Sequence, residues 1–195
     1  MHRFFVPPEC IAGDSVTLPQ PLARQLARVL RLARGDSIMV LDNRGWQYQV
    51  KLAELSDTAA SGQVVARTEA PPEPSIDIYL YQALLKADKF ELVLQKGTEI
   101  GVSHFVPVKY RRSEGGMDVG AAKMERWRRI VTEAAEQSGR SHLPELAAPL
   151  TLAQACEAEH DPSRASFGKL RTPSGHRLKL IPWEEERDRG LRRAA

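Results

Sequence analysis

The sequence predicts a two-part mixed α/β protein, with a small β-rich unit over residues 1–70 and a parallel α/β unit over residues 71–195. Three observations carry that prediction. Short pieces of alternating apolar and polar residues dominate the first third of the chain. Pro71, Pro72 and Pro74 then fall within four positions, where they remove backbone donors and force extended geometry, so this stretch is read as a linker. After it, apolar runs of strand length alternate with longer helical patterns, the signature of a parallel sheet with crossover helices.

In the first unit, strands are expected at Arg3–Val6, Ser15–Leu18, Ser37–Leu41, Trp46–Leu52 and Gly62–Thr68. Trp46, Tyr48, Val50 and Leu52 alternate with Gln47, Gln49 and Lys51, which is the period of a half-buried strand. Asn43-Arg44-Gly45 reads as the loop of a hairpin, because Asn and Gly tolerate positive φ. One helix is expected over residues 20–32, with Leu22, Leu26, Val29 and Leu30 turned inward and Arg24, Arg28 and Arg31 largely outward. These elements add up to a small β-barrel with one helix.

In the second unit, Ile76–Leu80 is the first expected strand. The following helix is capped by Asp88, with Glu91 at the capping-box position and Phe90, Val93, Leu94 and Gly97 along its inner face. Gly101 ends it, and His104–Val108 completes a βαβ unit. A long helix spans Ala121–Ser138, with Met124, Trp127, Val131, Ala134 and Ser138 on its apolar stripe and Gly139 at its end. Thr151 with Gln154 forms a second capping box. A last strand is expected at Leu178–Ile181, followed by a charged helix from Trp183.

The composition, 42% hydrophobic and 27% charged, is that of an ordinary globular chain. No apolar run reaches the roughly 18 residues of a membrane span, and no long apolar stretch opens the chain, so a cytoplasmic protein without membrane contact is expected. Cys10 and Cys156 cannot make a disulfide framework in a chain this long. Walker, GxGxxG, HExxH and GxSxG patterns are absent, and the five histidines never pair at metal-ligand spacing, so no metal is expected. With 28 basic and 25 acidic residues, net charge alone does not argue for nucleic acid, and no segment is a polybasic tail, so the case rests on local constellations.

Arg24, Arg28, Arg31 and Arg34 lie four, three and three residues apart, a spacing that lets guanidinium groups track successive phosphates but also suits a solvated helix face. Lys86, Lys89 and Lys96 flank the first crossover helix. Lys109, Arg111 and Arg112 stand at the carboxyl end of the second parallel strand, where α/β proteins place ligand contacts. Glu99 opposes the dipole at a helix end, with a salt bridge to Lys96 as its plain explanation. Glu136-Gln137-Ser138-Gly139-Arg140 gathers a carboxylate, an amide and a guanidinium at a helix end, suited to a base edge and equally to an ordinary helix cap.

Four collinear stretches carry a family resemblance. They are Met1-His2-Arg3-Phe4-Phe5-Val6; Arg28-Val29-Leu30-Arg31-Leu32 with Gly35-Asp36; Gln95-Lys96-Gly97-Thr98-Glu99-Ile100-Gly101-Val102; and Glu125-Arg126-Trp127 through Glu133-Ala134-Ala135-Glu136-Gln137-Ser138-Gly139-Arg140. In order and spacing they closely resemble the RsmE family of 16S ribosomal RNA uridine-N3 methyltransferases. The resemblance implies an N-terminal PUA-like β-barrel that helps hold RNA, a SPOUT methyltransferase domain with a trefoil knot, S-adenosylmethionine as methyl donor, 16S rRNA or the small ribosomal subunit as partner, and a homodimer. Among the charged and polar residues of this sequence, RNA contacts are expected at Arg3, Arg28, Arg31, Arg34, Lys96, Arg112 and Arg140, and active-site support at Glu99, Glu136 and Gln137. Gln25 stands where relatives usually carry histidine. The GPEGG-like loop and the LGxRILRxETA-like segment that form the cofactor pocket are not found in this sequence, so no residue of it is assigned to the cofactor. The expectation at this point is a SPOUT domain cut short before its knot and impaired in catalysis, with a non-catalytic RNA-binding module as the alternative.

Overall fold

A computed structural model describes residues 1–110 and 119–160. The expected strand at 178–181, the helix from 183, and Arg111 and Arg112 lie outside the described residues. Six strands, β1 (Arg3–Phe5), β2 (Ile11–Ala12), β3 (Ser15–Leu18), β4 (Ser37–Leu41), β5 (Trp46–Leu55) and β6 (Ala60–Glu69), form one sheet in the order β1-β4-β5-β6-β3-β2. β1 pairs parallel with β4, and the other neighbours are antiparallel. Where a barrel was expected, the described residues show an open path. Its end strands are β1 and β2, three and two residues long, and they do not pair with each other.

The alternation in β5 holds as read: Tyr48, Val50 and Leu52 face a core shared with Phe4, Val16, Leu26, Ile38 and Val40. Asp42 organises the hairpin loop. Its Oδ1 accepts the backbone N–H groups of Arg44 and Trp46, and its Oδ2 accepts the Tyr48 hydroxyl, while Asn43 and Gly45 take φ of 56° and 96°.

The single helix expected over 20–32 is broken. α1 (Gln20–Arg24) passes into a π-helical turn over Gln25–Val29, closed by the Leu30 N–H on the Gln25 carbonyl. A π turn holds more residues than an α turn, so the 3.6-residue pattern loses phase across it. Leu26 stays fully buried, but Val29, expected to face inward, is 72% exposed. Arg31 then takes φ of 54° and ends the turn before Leu32.

The second sheet comprises β7 (Tyr79–Ala83), β8 (His104–Lys109), β9 (Glu145–Leu146) and β10 (Leu150–Thr151), with β7, β9 and β10 all pairing parallel to β8. β7 begins later than expected, because Ile76 and Ile78 face solvent and pairing with β8 starts at Tyr79 opposite His104. Helix α2 (Ala87–Glu99) crosses from β7 to β8. Its N-cap position is Lys86 rather than Asp88, which sits inside the first turn without a capping hydrogen bond. Of the predicted inner face, Phe90, Leu94 and Gly97 are buried and Val93 is half-buried. Gly97 meets β8 so closely that a Cβ there would lie 2.7 Å from the Phe105 ring.

Helix α3 (Ala121–Ser138) buries Met124, Trp127, Val131 and Ala134, and Gly139 closes it in the left-handed conformation with φ of 77°. Trp127 packs on Phe90 with ring centroids 4.4 Å apart. Before α4 (Leu152–His160) the expected capping box is present: the Thr151 N–H donates to Gln154 Oε1, and the Gln154 N–H donates to Thr151 Oγ1. Among the described residues no helix is long and apolar enough to cross a membrane.

Candidate nucleic-acid interface

Two concavities adjoin the helical segment of the first sheet, and Gln25 lines both. The first, of about 810 Å³, lies between the α1–π-turn segment and the turn joining β5 to β6, and is lined by Gln20, Arg24, Gln25, Arg28, Asp57 and Thr58 among others. Arg24 and Arg28 share a face because they stand four residues apart. Arg28 Nε donates to Asp57 Oδ2 at 2.7 Å and Oδ1 at 2.8 Å, and its Nη2 also contacts Oδ2. The pair is exposed on both sides. The hydrogen bond from Arg28, helped by the charge of Arg24, holds the Asp57 carboxyl below the ordinary carboxylate range. Arg31 and Arg34 are exposed just beyond the turn.

The second concavity, of about 820 Å³, separates the first sheet from α2 and α3. Arg3, Glu99, Glu136 and Gln137 come together on its walls, with Asp88, Glu91 and Glu133 adding further carboxylates. Glu136 Oε1 accepts the Phe5 N–H at 3.0 Å, tying α3 to β1. Burial pushes the Glu136 carboxyl up to about 7 and the charge of Glu133 adds to the rise, against the Phe5 hydrogen bond. Arg3 Nε and Nη2 are shielded from solvent and find no hydrogen-bond partner among the described residues.

Other expected contacts are committed elsewhere. Lys96 Nζ grips both carboxylate oxygens of Glu99 at 2.9 Å, so the salt bridge that was the plain explanation for Glu99 is present. Arg140 differs from the RNA contact it was expected to be. Its side chain is 10% exposed, and its guanidinium is spent on Glu73 Oε2 and on the Val102 and Thr98 carbonyls. The same Glu73 accepts the Ser141 and His142 N–H groups through Oε1. Burial opposes the charge on Glu73, but these donors outweigh it and hold the carboxyl below its ordinary range. The proline-rich stretch is therefore a strap fastened to the end of α3. Leu143 N–H donating to Asn43 Oδ1 adds a second tie, from the hairpin loop to the segment after α3.

Sequence reasoning missed Asp57, Thr58 and Glu73. Nothing in the one-dimensional pattern links Asp57 to Arg28 across 29 positions, or Glu73 to Arg140 across 67. The only signal for Asp57 is its place in the turn-forming run Ser56-Asp57-Thr58.

No residue of β7, β8 or β10 lines either concavity, although the carboxyl ends of parallel strands are where α/β sheets hold ligands. What the two concavities offer is guanidinium groups, amides and carboxylates, the groups that contact phosphates and base edges.

Comparison with known proteins agrees with that chemistry. A family model described as RNA methyltransferase domain matches residues 71–193. The ribosomal RNA small subunit methyltransferase E of Synechocystis sp. is 40% identical over 156 residues, covering 80% of this chain and 50% of that protein. The protein of the same name from Bacillus subtilis is 33% identical over 156 residues, covering 74% of this chain and 58% of that one. The chain thus spans little more than half the length of these relatives. Among solved structures, the ribosomal RNA small subunit methyltransferase E from Neisseria gonorrhoeae bound to S-adenosyl methionine superposes with a TM-score of 0.74 at 29% identity, covering 80% of this chain and 64% of that one.

Proposed function

From the premise that this chain belongs to the RNA methyltransferase domain family, and within it to the RsmE family, we propose that the protein is an S-adenosylmethionine-dependent methyltransferase acting on uridine N3 of 16S rRNA. The observation that carries the reading is the match over 71–193, supported by the concavity on which Arg24 and Arg28 present guanidinium groups suited to phosphates. In this reading, residues 1–70 are a PUA-like unit that holds RNA, residues 71–195 belong to the SPOUT methyltransferase domain, and the protein works as a cytoplasmic homodimer.

S-adenosylmethionine supplies an electrophilic methyl group. The first concavity does not fit it, being rimmed by guanidinium groups that repel a sulfonium, and no residue of the parallel strands lines either concavity. The donor is therefore assigned to no described residue. What these residues do is bind and orient. Arg24, Arg28, Arg31 and Arg34 engage the backbone, while Glu136 and Gln137 face the cleft where a base edge is accepted. With a carboxyl near 7, Glu136 is matched to holding or releasing a proton at neutral pH. Attack by uridine N3 requires loss of its ring proton and in-line geometry, so orientation of the base is a large part of the barrier lowering.

The experiment is transfer of labelled methyl from S-adenosylmethionine to small-subunit RNA, followed by nucleoside digestion. Label in N3-methyluridine is the expected result, and label in any other nucleoside contradicts the assignment. An RNA-binding module without catalysis is the second reading, resting on the guanidinium groups of the first concavity alone; salt-dependent RNA binding without any transfer would establish it.

A further inference from the structure

We infer that the concavity between the α1–π-turn segment and the β5–β6 turn is a phosphodiester site in which the Asp57 carboxylate occupies the place of an RNA phosphate and must be displaced by it. The inference rests on the RNA-binding reading above and deepens it by assigning one site and one competing group.

The geometry points there from several sides. Arg28 presents its guanidinium edge to two oxygens of Asp57, the fork that a guanidinium also makes with a phosphodiester's two free oxygens. Arg24, one turn earlier, lines the same concavity and acts electrostatically on Asp57. The Thr58 hydroxyl and the Gln25 amide add neutral donors on the walls. The π turn, an irregularity concentrated at functional sites, sets Arg28 and the exposed Val29 at the rim.

Both members of the Arg28–Asp57 pair are solvent-exposed, and pairs of that kind contribute little to folding. A carboxylate that adds little stability yet covers the best-placed phosphate donor acts instead on affinity. It holds Arg28 in its extended, fork-ready arrangement and lowers affinity for any anion that must replace it. RNA brings a second phosphate within reach of Arg24, which Asp57 cannot satisfy at the same time as Arg28. The exchange then runs toward RNA.

The test compares wild type with Asp57→Asn, Asp57→Glu and the double variant Asp57→Asn/Arg28→Gln. Each binds a fluorescein-labelled 16-nucleotide single-stranded RNA, and the DNA of the same sequence, across a salt series read by anisotropy. Asp57→Asn is expected to bind RNA about two- to fivefold tighter than wild type, with a steeper dependence on salt. Asp57→Glu keeps the clasp and stays near wild type, and the double variant loses the gain. DNA shows the same gain, since the site contacts only the phosphodiester; a gain confined to RNA would overturn that assignment. Unchanged or weaker RNA binding by Asp57→Asn, or a gain that persists without Arg28, would overturn the inference while leaving the RNA reading in place. Absence of salt-dependent binding by the wild type would remove the RNA reading and this inference together.

Discussion

Glu73 and Arg140, 67 positions apart, meet through Oε2 and both Nε and Nη2, at 3.1 and 2.9 Å. This pair fixes the strap between the two sheets to the end of α3, and Oε1 of the same carboxylate satisfies the Ser141 and His142 N–H groups. Removing Glu73 thus leaves a side chain that is 10% exposed with an unpaired charge and two N–H groups without their acceptor. Glu73→Ala should lower stability by about 3 kcal/mol, the scale for breaking a buried pair from one side. Arg140→Lys, with Glu73 intact, should also lower stability, because an ammonium lacks the fork. Denaturant titration of both variants checks this.

Glu73 also sets an acid limb. Its folded carboxyl titrates below the unfolded one, so the stability it contributes is complete above the unfolded carboxylate range and is lost as pH falls through the lower folded value. Wild type should lose stability on acidification more steeply than Glu73→Gln, as read from unfolding midpoints on descending pH.

Glu136 works in the opposite direction. Burial pushes its carboxyl up to about 7 in the folded protein, from 4.5 for an ordinary glutamate, so the stabilisation present in acid is lost as pH rises toward and through 7. Glu136→Gln keeps an acceptor for the Phe5 N–H but carries no charge. The variant should match wild type near pH 4 and be more stable at pH 8 by about 1–2 kcal/mol, a figure reduced from the full shift because the group is partly solvated. Equal stability at pH 8 would show that burial does not act on this carboxyl.

Gly97 tests the packing of α2 on β8. In an exposed helix Gly→Ala stabilises by up to about 1 kcal/mol. At Gly97 the added Cβ would lie 2.7 and 2.8 Å from two atoms of the Phe105 ring, so Gly97→Ala should instead destabilise by about 1–3 kcal/mol. The sign of the change in melting temperature decides between the two.

Periodicity in the sequence exposed much of this fold, because the buried faces of β5, α2 and α3 follow regular repeats and Gly101 and Gly139 mark helix ends with positive φ. Periodicity failed where local geometry departs from the standard repeat. The π turn put Val29 in solvent, and the start of β7 was decided by its partner His104 rather than by the apolar run at Ile76. At the candidate interface, Arg3, expected as an RNA contact, and Glu99, Glu136 and Gln137, expected as active-site support, were not linked by the sequence pattern, and the fold brings them to the walls of one cleft. Asp57, paired with Arg28, and Glu73, paired with Arg140, were not legible, since long-range ion pairs leave no periodic trace in the chain. Arg140 shows the reverse error: a cation at a helix end invites a ligand-binding reading, and only its burial against Glu73 reveals a structural use.

The central claim, that the described residues grip RNA through backbone phosphates, is tested most directly by the salt dependence of binding to a 16S rRNA fragment for wild type and for Arg24→Glu/Arg28→Glu. For wild type, log K should fall linearly with log salt, and the double charge reversal should bind more weakly with a shallower slope. An unchanged slope in the reversed variant would contradict it.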